Sequence, residues 1–520
     1  MTYNEAALSK YRGLLDSGEP FRSRTCRYCS SGNTAVKHIN SKKKPNSPWD
    51  FWNGIACSPT ASHARAEGRK RTPMYVVGPM VDQSELPFRL LCRRYGATLA
   101  YTPMFHAKSF AQSAHYRQRY FSTTTFPPHS AMESGGNVAA NDSTSNDGAL
   151  DNDHPLFAQF CGNDPETVLA AARHVEDYCE AVDFNIGCPQ GIARRGHYGS
   201  FLMEDWELLH NILHALAVEL RVPVTAKMRI FDDEALTLKY AEMLRDTGIY
   251  VLCVHGRTRE NKGQQQQPAD LRMIRRVHEH LRGSIPIIAN GNVLTFEDVP
   301  RNLAITGCEG YMCAEPLLWD PKLFAPLASS STAEFAPNIT DSTLSTSPAP
   351  STVRSGRLFA ESRPTRLKAL ATASEYLELV RRFPVDIGFV KAHFFKMLYH
   401  SYEMHPAHQQ WLANFSINGS NVGNDVVENC ATSHCGEQRE TTVVGRDIFT
   451  AALDALTDHL HSLQKAELSL EHDGPQPKRQ RELKVGEEGK ERQQLKNGRR
   501  VDALTDTFAD DETLGIDFLM

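Results

Sequence analysis

The chain has 520 residues, 41% of them hydrophobic, and a formal net charge of -5, which is enough apolar material for two or three domains and a charge balance that neither demands nor excludes a nucleic-acid partner. A mean hydropathy of -0.43 requires that part of the chain stays outside any core. No run approaches the ~18 consecutive apolar residues of a membrane span, and the opening MTYNEAALSK lacks the apolar centre of a secretory signal, so no membrane partner is expected.

Residues 1–72 are polar, with a basic run at Lys42 to Lys44 and no sustained periodicity, so a disordered N-terminal extension is expected. The basic, Ser/Thr-rich stretch 22–44 would suit mitochondrial import, but Glu5, Asp16 and Glu19 in front of it count against that. A cytoplasmic location is expected, with the nucleus as the alternative. Twelve cysteines scattered through the chain read as reduced thiols, and Cys26 with Cys29 makes only half a zinc site, so no metal is expected.

From Met74 to about Pro326 short apolar runs alternate with amphipathic segments. The predicted strands are Tyr75–Gly78, Thr98–Thr102, Leu156–Cys161, Ala181–Ile186, Val222–Met228, Ile249–His255, Pro286–Asn290 and Glu309–Cys313. Helix signals lie between them: Asp164-Pro165 as cap and first turn, Thr295 with Asp298 as a capping box, and Gly248 as a stop. This alternation predicts an α/β fold, a (β/α)8 TIM barrel over residues 73–328, with its chemistry at the C-terminal strand ends. A doubly wound open sheet shares the alternation.

The polar stretch 126–153 reads as a surface insertion and the Ser/Thr/Pro-rich 329–366 as a linker, beyond which the barrel could stand alone. A small C-terminal helical domain, 367–465, follows, with a polar insertion at 415–442 and basic residues among aromatics, and it is expected to bind tRNA. Arg381, Arg382, Lys391, His393 and Lys396 interleave there with Phe383, Phe389, Phe394 and Phe395. The charged tail 466–520 reads as disordered, and its PKRQRELK run resembles a nuclear import patch.

Polar residues recur where the strands end. GPM carries Pro79 and Met80, QFCGND carries Gln159, and NIGCPQ carries Asn185 and Cys188. KMR carries Lys227 and Arg229, VHGR carries His255 and Arg257, ANGN carries Asn290, Gly291 and Asn292, and MCAE ends on Ala314 and Glu315. Six polar ends in series, from QFCGND to MCAE, suggest a bound ligand. A flavin fits them: an amide for its uracil-like edge, a cation for the charge of its reduced form, and a glycine-rich turn after strand seven for phosphate. Cys92, Cys161, Cys179 and Cys253 read as core thiols, whereas proline and glycines put Cys188 on a loop.

GPMVDQSELPFRLLCRRYGATLAYTPMFHA, QFCGNDPE, DYCEAVDFNIGCPQGIARRGHYGSFL, KMRIF, VHGRTRENKG and ANGNV together resemble the tRNA-dihydrouridine synthase family, in its eukaryotic (16/17) branch. The resemblance covers roughly residues 74–325 and resumes at 374–412. It implies FMN, NADPH or NADH as reductant, tRNA as partner, and reduction of the uracil C5–C6 bond in the D-loop by a monomer. It further implies Cys188 as proton donor, and cofactor contacts at Pro79, Met80, Val81, Gln159, Lys227, His255, Asn290, Gly291, Asn292, Ala314 and Glu315. Asn185 and Arg229 fall near the uracil, and Arg194 and Arg195 near RNA phosphate. Many members carry Gly-Arg where this chain has Ala314-Glu315, so the phosphate cation must come from elsewhere. Two rival functions share these residues: a flavin barrel reducing a free pyrimidine or an enone, and a non-catalytic tRNA-binding folding factor.

Overall fold

Each of eight strands has a neighbour on both sides, so the sheet closes. The structure is a computed structural model that describes residues 5–26, 44–56, 73–125, 152–262, 266–325, 362–416 and 440–470. Its strands are β1 (Met74–Val77), β2 (Leu99–Tyr101), β3 (Phe105–His106), β4 (Leu156–Cys161), β5 (Ala181–Ile186), β6 (Val224–Arg229), β7 (Val251–His255), β8 (Ile287–Asn290) and β9 (Gly310–Cys313). All pairs are parallel. β1 joins β2 to β9 and β2 also pairs with β4, which closes the ring; the two-residue β3 pairs with β4 just beyond β2 and so continues the β2 position. The TIM barrel is therefore present and the open sheet is excluded. β4 and β5 were legible to the residue, and β3, only two residues long, was not.

Strand side chains alternate between the two faces of a sheet. On the inner face Met74, Val76, Leu99, Tyr101, Phe157, Ala181, Val251, Cys253, Ile288 and Met312 form one apolar cluster. The same alternation, continued toward the C-terminal ends, carries Gln159, Asp183, Asn185, Thr225, Lys227, Arg229, His255 and Asn290. The barrel is apolar at its base and polar at its mouth.

The base is closed by part of the N-terminal extension. Helix Pro48–Ala56 sends Phe51, Trp52 and Ile55 into the interior cluster. Helix Glu5–Ser17 lies on the outer wall, where the Tyr11 ring stacks on Trp206 at 4.2 Å and its hydroxyl accepts from the Trp206 amide at 2.8 Å. The expectation of disorder is thus corrected for 5–26 and 44–56. Two or three anchoring side chains per segment are too few to show as periodicity. Cys26 is buried, Cys29 lies outside the described residues, and no cluster of metal-ligating side chains occurs among the described residues. No described helix is long and apolar enough to cross a membrane.

Helix Pro165–Arg173 begins as expected, with Asp164 accepting from the Thr167 amide. The Thr295 box is only half formed: Asp298 accepts from the Thr295 amide at 3.0 Å, but the helix starts at Asp298 itself. Most of the 126–153 insertion lies outside the described residues, yet its last members do not behave as an insertion. Asp153 is fully buried, and its carboxylate receives Arg89 Nε at 3.1 Å and Nη2 at 2.6 Å.

The helices that follow the barrel are Arg363–Arg382, Ile387–Met397, Tyr399–Met404, Pro406–Asn414 and Glu440–Ser469. The first begins inside the stretch expected as linker. These helices pack on the barrel rather than standing apart. Glu85, which leads into helix Leu86–Arg94, accepts from the Tyr376 hydroxyl at 2.6 Å and pairs with His393 Nε2 at 3.0 Å, all three buried. The His393 ring stacks on Phe88 at 4.4 Å. Burial alone would push the Glu85 carboxyl up, but the His393 charge and the two hydrogen bonds hold it below its usual range.

The basic residues of this unit are correspondingly engaged. Arg381 bonds Asp454 at 2.9 Å, Lys391 donates to the Phe415 carbonyl at 2.6 Å, and Lys396 lies 4.6 Å over the Trp319 ring. They serve packing as well as charge. A chain ended near residue 330 would lose both partners of Glu85 and would uncover helix Leu86–Arg94, whose residues Leu86 to Cys92 are all buried. Such a chain is expected to aggregate or to melt well below the full-length protein. A monodisperse truncation with an unchanged melting temperature would contradict this packing.

Candidate functional site

The polar residues of the mouth stand in register, layer upon layer. Gln159 lies opposite Asp183 and Asp183 opposite Thr225. In the next layer Asn185 lies opposite Lys227, and Lys227 opposite Cys253. Above these Arg229 faces His255, and His255 faces Asn290. Six of the expected site residues, Gln159, Asn185, Lys227, Arg229, His255 and Asn290, are thereby brought to one end of one barrel.

The lowest layer is a hydrogen-bonded row. Asp183 is fully buried and accepts from Thr225 Oγ1 at 2.6 Å and Gln159 Nε2 at 2.8 Å. Gln159 Oε1 accepts from Asn185 Nδ2 at 2.9 Å, and Asn185 Oδ1 accepts from the amides of Gly187 and Cys188 at 3.1 and 2.9 Å. Burial pushes the Asp183 carboxyl up to about 6, with the two hydrogen bonds and the Lys227 charge opposing it. Tyr101 and Cys253 also feel its charge.

Cys188 follows β5 on the loop that leads to the short helix Gly191–Arg195. Ser200 holds its carbonyl from the other side through both its amide (3.0 Å) and its hydroxyl (2.9 Å). That approach needs the glycine before it: Gly199 has φ of +63°, and a Cβ there would meet the Cys188 carbonyl at 2.8 Å. The thiol is half-buried, whereas Cys92, Cys161, Cys179 and Cys253 are buried outright. Burial raises the Cys188 thiol above its usual value, and the Gln190 amide with Arg229, Lys227 and Lys262 offsets this only in part. It is a protonated thiol at neutral pH.

Arg229 bridges two loops. Its Nε donates to the Gly187 carbonyl at 2.7 Å and its Nη1 to the Thr258 carbonyl at 2.8 Å, tying the Cys188 loop to the loop after β7. Lys262 adds a second tie to the Pro189 carbonyl. Arg194 and Arg195 are exposed on the last turn of the helix Gly191–Arg195.

Lys227 has no carboxylate within salt-bridge distance among the described residues, and burial, aided by Arg229, lowers its ammonium below the usual lysine range. Burial and then the charges of Arg229, Lys227 and Arg257 push His255 well below its usual value, so its ring is neutral. Arg257 Nη1 lies 3.1 Å from His255 Nε2. A guanidinium only donates, so Nε2 accepts and the ring proton sits on Nδ1.

The turn after β8 is shaped by backbone contacts. Asn290 Nδ2 donates to the Met312 carbonyl at 3.0 Å; Asn292, at φ of +54°, bonds both the amide and the carbonyl of Ala269 at 2.7 Å. A Cβ on Gly291 would stand 2.5 Å from Ala269 Cβ. Arg257 Nη2 reaches the Asn292 carboxamide oxygen at 3.4 Å. The rim is completed on the β1 side by Pro79, Met80 and the exposed Val81, and on the β9 side by Ala314 and the exposed Glu315.

Residues 75–349 match the family model described as dihydrouridine synthase. The chain belongs to the dihydrouridine synthase family. It is 49% identical over 252 residues to the tRNA-dihydrouridine(16/17) synthase of Saccharomyces cerevisiae, a match covering 48% of this chain and 54% of that one. It is 39% identical over 331 residues to the Schizosaccharomyces pombe protein of the same name (63% and 69%), and 38% identical over 339 residues to a like-named protein of Mus musculus (65% and 58%). The chain thus spans between 54% and 69% of the length of these relatives.

In this member of the family, sequence reasoning missed Asp183 and Thr225. The signal was present: Asp183 sits two residues before Asn185, hence on the same strand face, and Thr225 sits two before Lys227. Asp183→Asn is expected to show the cost of the buried charge. The folded carboxyl lies at about 6, above the ~3.9 of an unfolded Asp, so the stability it contributes is full below about pH 4 and is lost as pH rises through 6. The neutral variant should therefore be more stable than wild type by about 2–3 kcal/mol at pH 8 and indistinguishable at pH 4. Denaturant melts at the two pH values check this, and a variant less stable at pH 8 would refute it.

Proposed function

We propose that this dihydrouridine synthase reduces uridines of the tRNA D-loop to 5,6-dihydrouridine, with FMN as cofactor and NADPH or NADH as reductant. The observation that carries the reading is the protonated Cys188 thiol, held half-buried at the mouth of a barrel whose next layer holds Lys227 without a carboxylate partner. The donor set fits a flavin. Lys227 offers a positive charge to a ring that becomes anionic on reduction, Asn290 offers a carboxamide, and neutral His255 offers a donor without a further charge, while Gln159 lies beneath them, engaged by Asn185 and Asp183. Arg257 brings its guanidinium to the Asn292 turn and feels the charge of Glu315, and we assign it the phosphate-facing cation that Ala314-Glu315 cannot supply.

When bound, the flavin supplies hydride equivalents, taken from NAD(P)H, to uracil C6. The chain's own residues do the rest. Cys188 gives its proton to C5, which a thiol above its usual pKa is placed to do because it is not already ionised. Asn185 sets the backbone of that thiol, and Arg229 fixes the loop beside it. Pro79 to Val81 bound the pocket on the β1 side. Arg194 and Arg195 stand beside the Cys188 loop, where RNA phosphates would pass. A base in folded RNA must be unstacked to reach such a pocket, which is cheapest in a loop.

Cys188→Ala separates the two half-reactions. It is expected to retain bound flavin and its reduction by NADPH, and to lose tRNA reduction by about 10²–10⁴-fold, the range of a general acid. Single-turnover measurements of both steps decide it: unchanged tRNA reduction removes the thiol from the mechanism.

A further inference from the structure

The donors and acceptors between Cys188 and Asp183 can be ordered from one unambiguous end. The amides of Gly187 and Cys188 can only donate, and both donate to Asn185 Oδ1. Asn185 must then present its NH2 to Gln159, whose Oε1 accepts it. Gln159 is left with its own NH2 facing Asp183, where Oδ2 accepts, while Thr225 donates to Oδ1. A carboxamide has one accepting and one donating end, so each orientation follows from the next. A flipped Gln159 would set NH2 against NH2 on one side and oxygen against carboxylate on the other. Gln159 and Asp183 are both fully buried, and water cannot stand in for a lost partner.

We propose that Asp183 is a positioning residue for Cys188: by accepting from Gln159 it sets the polarity of the amide row, and through Asn185 it holds the Gly187–Cys188 backbone. The importance of this for turnover rests on the reading of Cys188 as proton donor; the geometry does not. What position 183 must supply toward Gln159 is an acceptor, not a charge. Asp183→Asn can supply it, with its carbonyl toward Gln159 and its NH2 toward the Thr225 hydroxyl, which accepts as readily as it donates. Gln159→Glu cannot be accommodated above the pH at which two facing carboxylates share a proton. The double variant Gln159→Glu/Asp183→Asn transposes the two groups and satisfies every partner again: the carboxylate at 159 accepts from both sides, and Thr225 donates to the new carbonyl.

The test compares full-length wild type with these three variants by the rate of iodoacetamide alkylation at Cys188, read by peptide mass mapping between pH 6 and 9. Asp183→Asn should stay within about twofold of wild type, because the row keeps its polarity. Gln159→Glu should be alkylated about tenfold faster at pH 8, from the loss of buried hydrogen bonds, and should approach wild type as pH falls and the facing carboxylates take up a proton. The double variant should return to within about twofold of wild type at every pH. An added negative charge by itself raises the thiol pKa and slows alkylation, so acceleration reports a loosened backbone and not electrostatics. A wild-type rate for Gln159→Glu at pH 8, or a double variant as fast as the single one, overturns the proposal. Should Gln159→Glu fail to fold, the double variant decides alone: folded with a wild-type rate supports the row, and unfolded overturns it. These rates involve neither tRNA nor turnover, so they stand or fall apart from the outcome for Cys188→Ala.

Discussion

A closed ring of eight parallel strands leaves no strand edge, and every second side chain must share the space around one axis. Much else in this molecule follows from how that space is filled. At the base the inward positions are apolar, and because the ring alone does not seal them, Phe51, Trp52 and Ile55 arrive from outside the barrel sequence to close it. Toward the mouth the same positions become Gln159, Asp183, Asn185, Thr225 and Lys227, which register sets side by side. Polar groups packed that closely must satisfy one another, and the row from Thr225 to the Cys188 amide is the result.

The electrostatic character of the mouth has the same origin. Lys227, Arg229 and Arg257 come from neighbouring strand ends, and their combined field, with burial, keeps His255 neutral. Asp183 sits one layer below and bears part of the balancing charge, at the cost of a raised pKa. An anionic or electron-rich planar ligand would complete this balance from above. The helical unit contributes indirectly. Glu85, at the end of the loop that begins with Pro79 and Met80, is anchored by Tyr376 and His393, so that the β1 side of the rim depends on helices that come after residue 362 in the chain.

Most of the barrel was legible because buried parallel strands are short apolar runs separated by amphipathic helices, and strand ends such as NIGCPQ carry residues that no core requires. Helix Pro48–Ala56 was missed because three anchors, Phe51, Trp52 and Ile55, are too few to set a period, and helix Glu5–Ser17 because its apolar set, Leu8, Tyr11 and Leu14, is short and lies in a polar run. Asp153 was missed because one buried acid at the end of a polar run looks like the rest of the run, and only Arg89, 64 residues earlier, reveals it. Among the basic residues of 374–403, Arg381 and Lys391 find partners within the helical unit and His393 finds Glu85 on the barrel, none of which the sequence shows. Sequence shows what a residue is; it does not show which distant carbonyl or carboxylate engages it.

The central claim is that the mouth of this barrel reduces uracil within RNA. The most direct measurement is to incubate the purified full-length protein with unmodified tRNA and NADPH, and to map dihydrouridine position by position. The account predicts dihydrouridine confined to D-loop uridines, with NADPH consumed in step. Steady NADPH oxidation by flavin-loaded protein with no dihydrouridine in any tRNA, while a free pyrimidine or an enone is reduced, would contradict it.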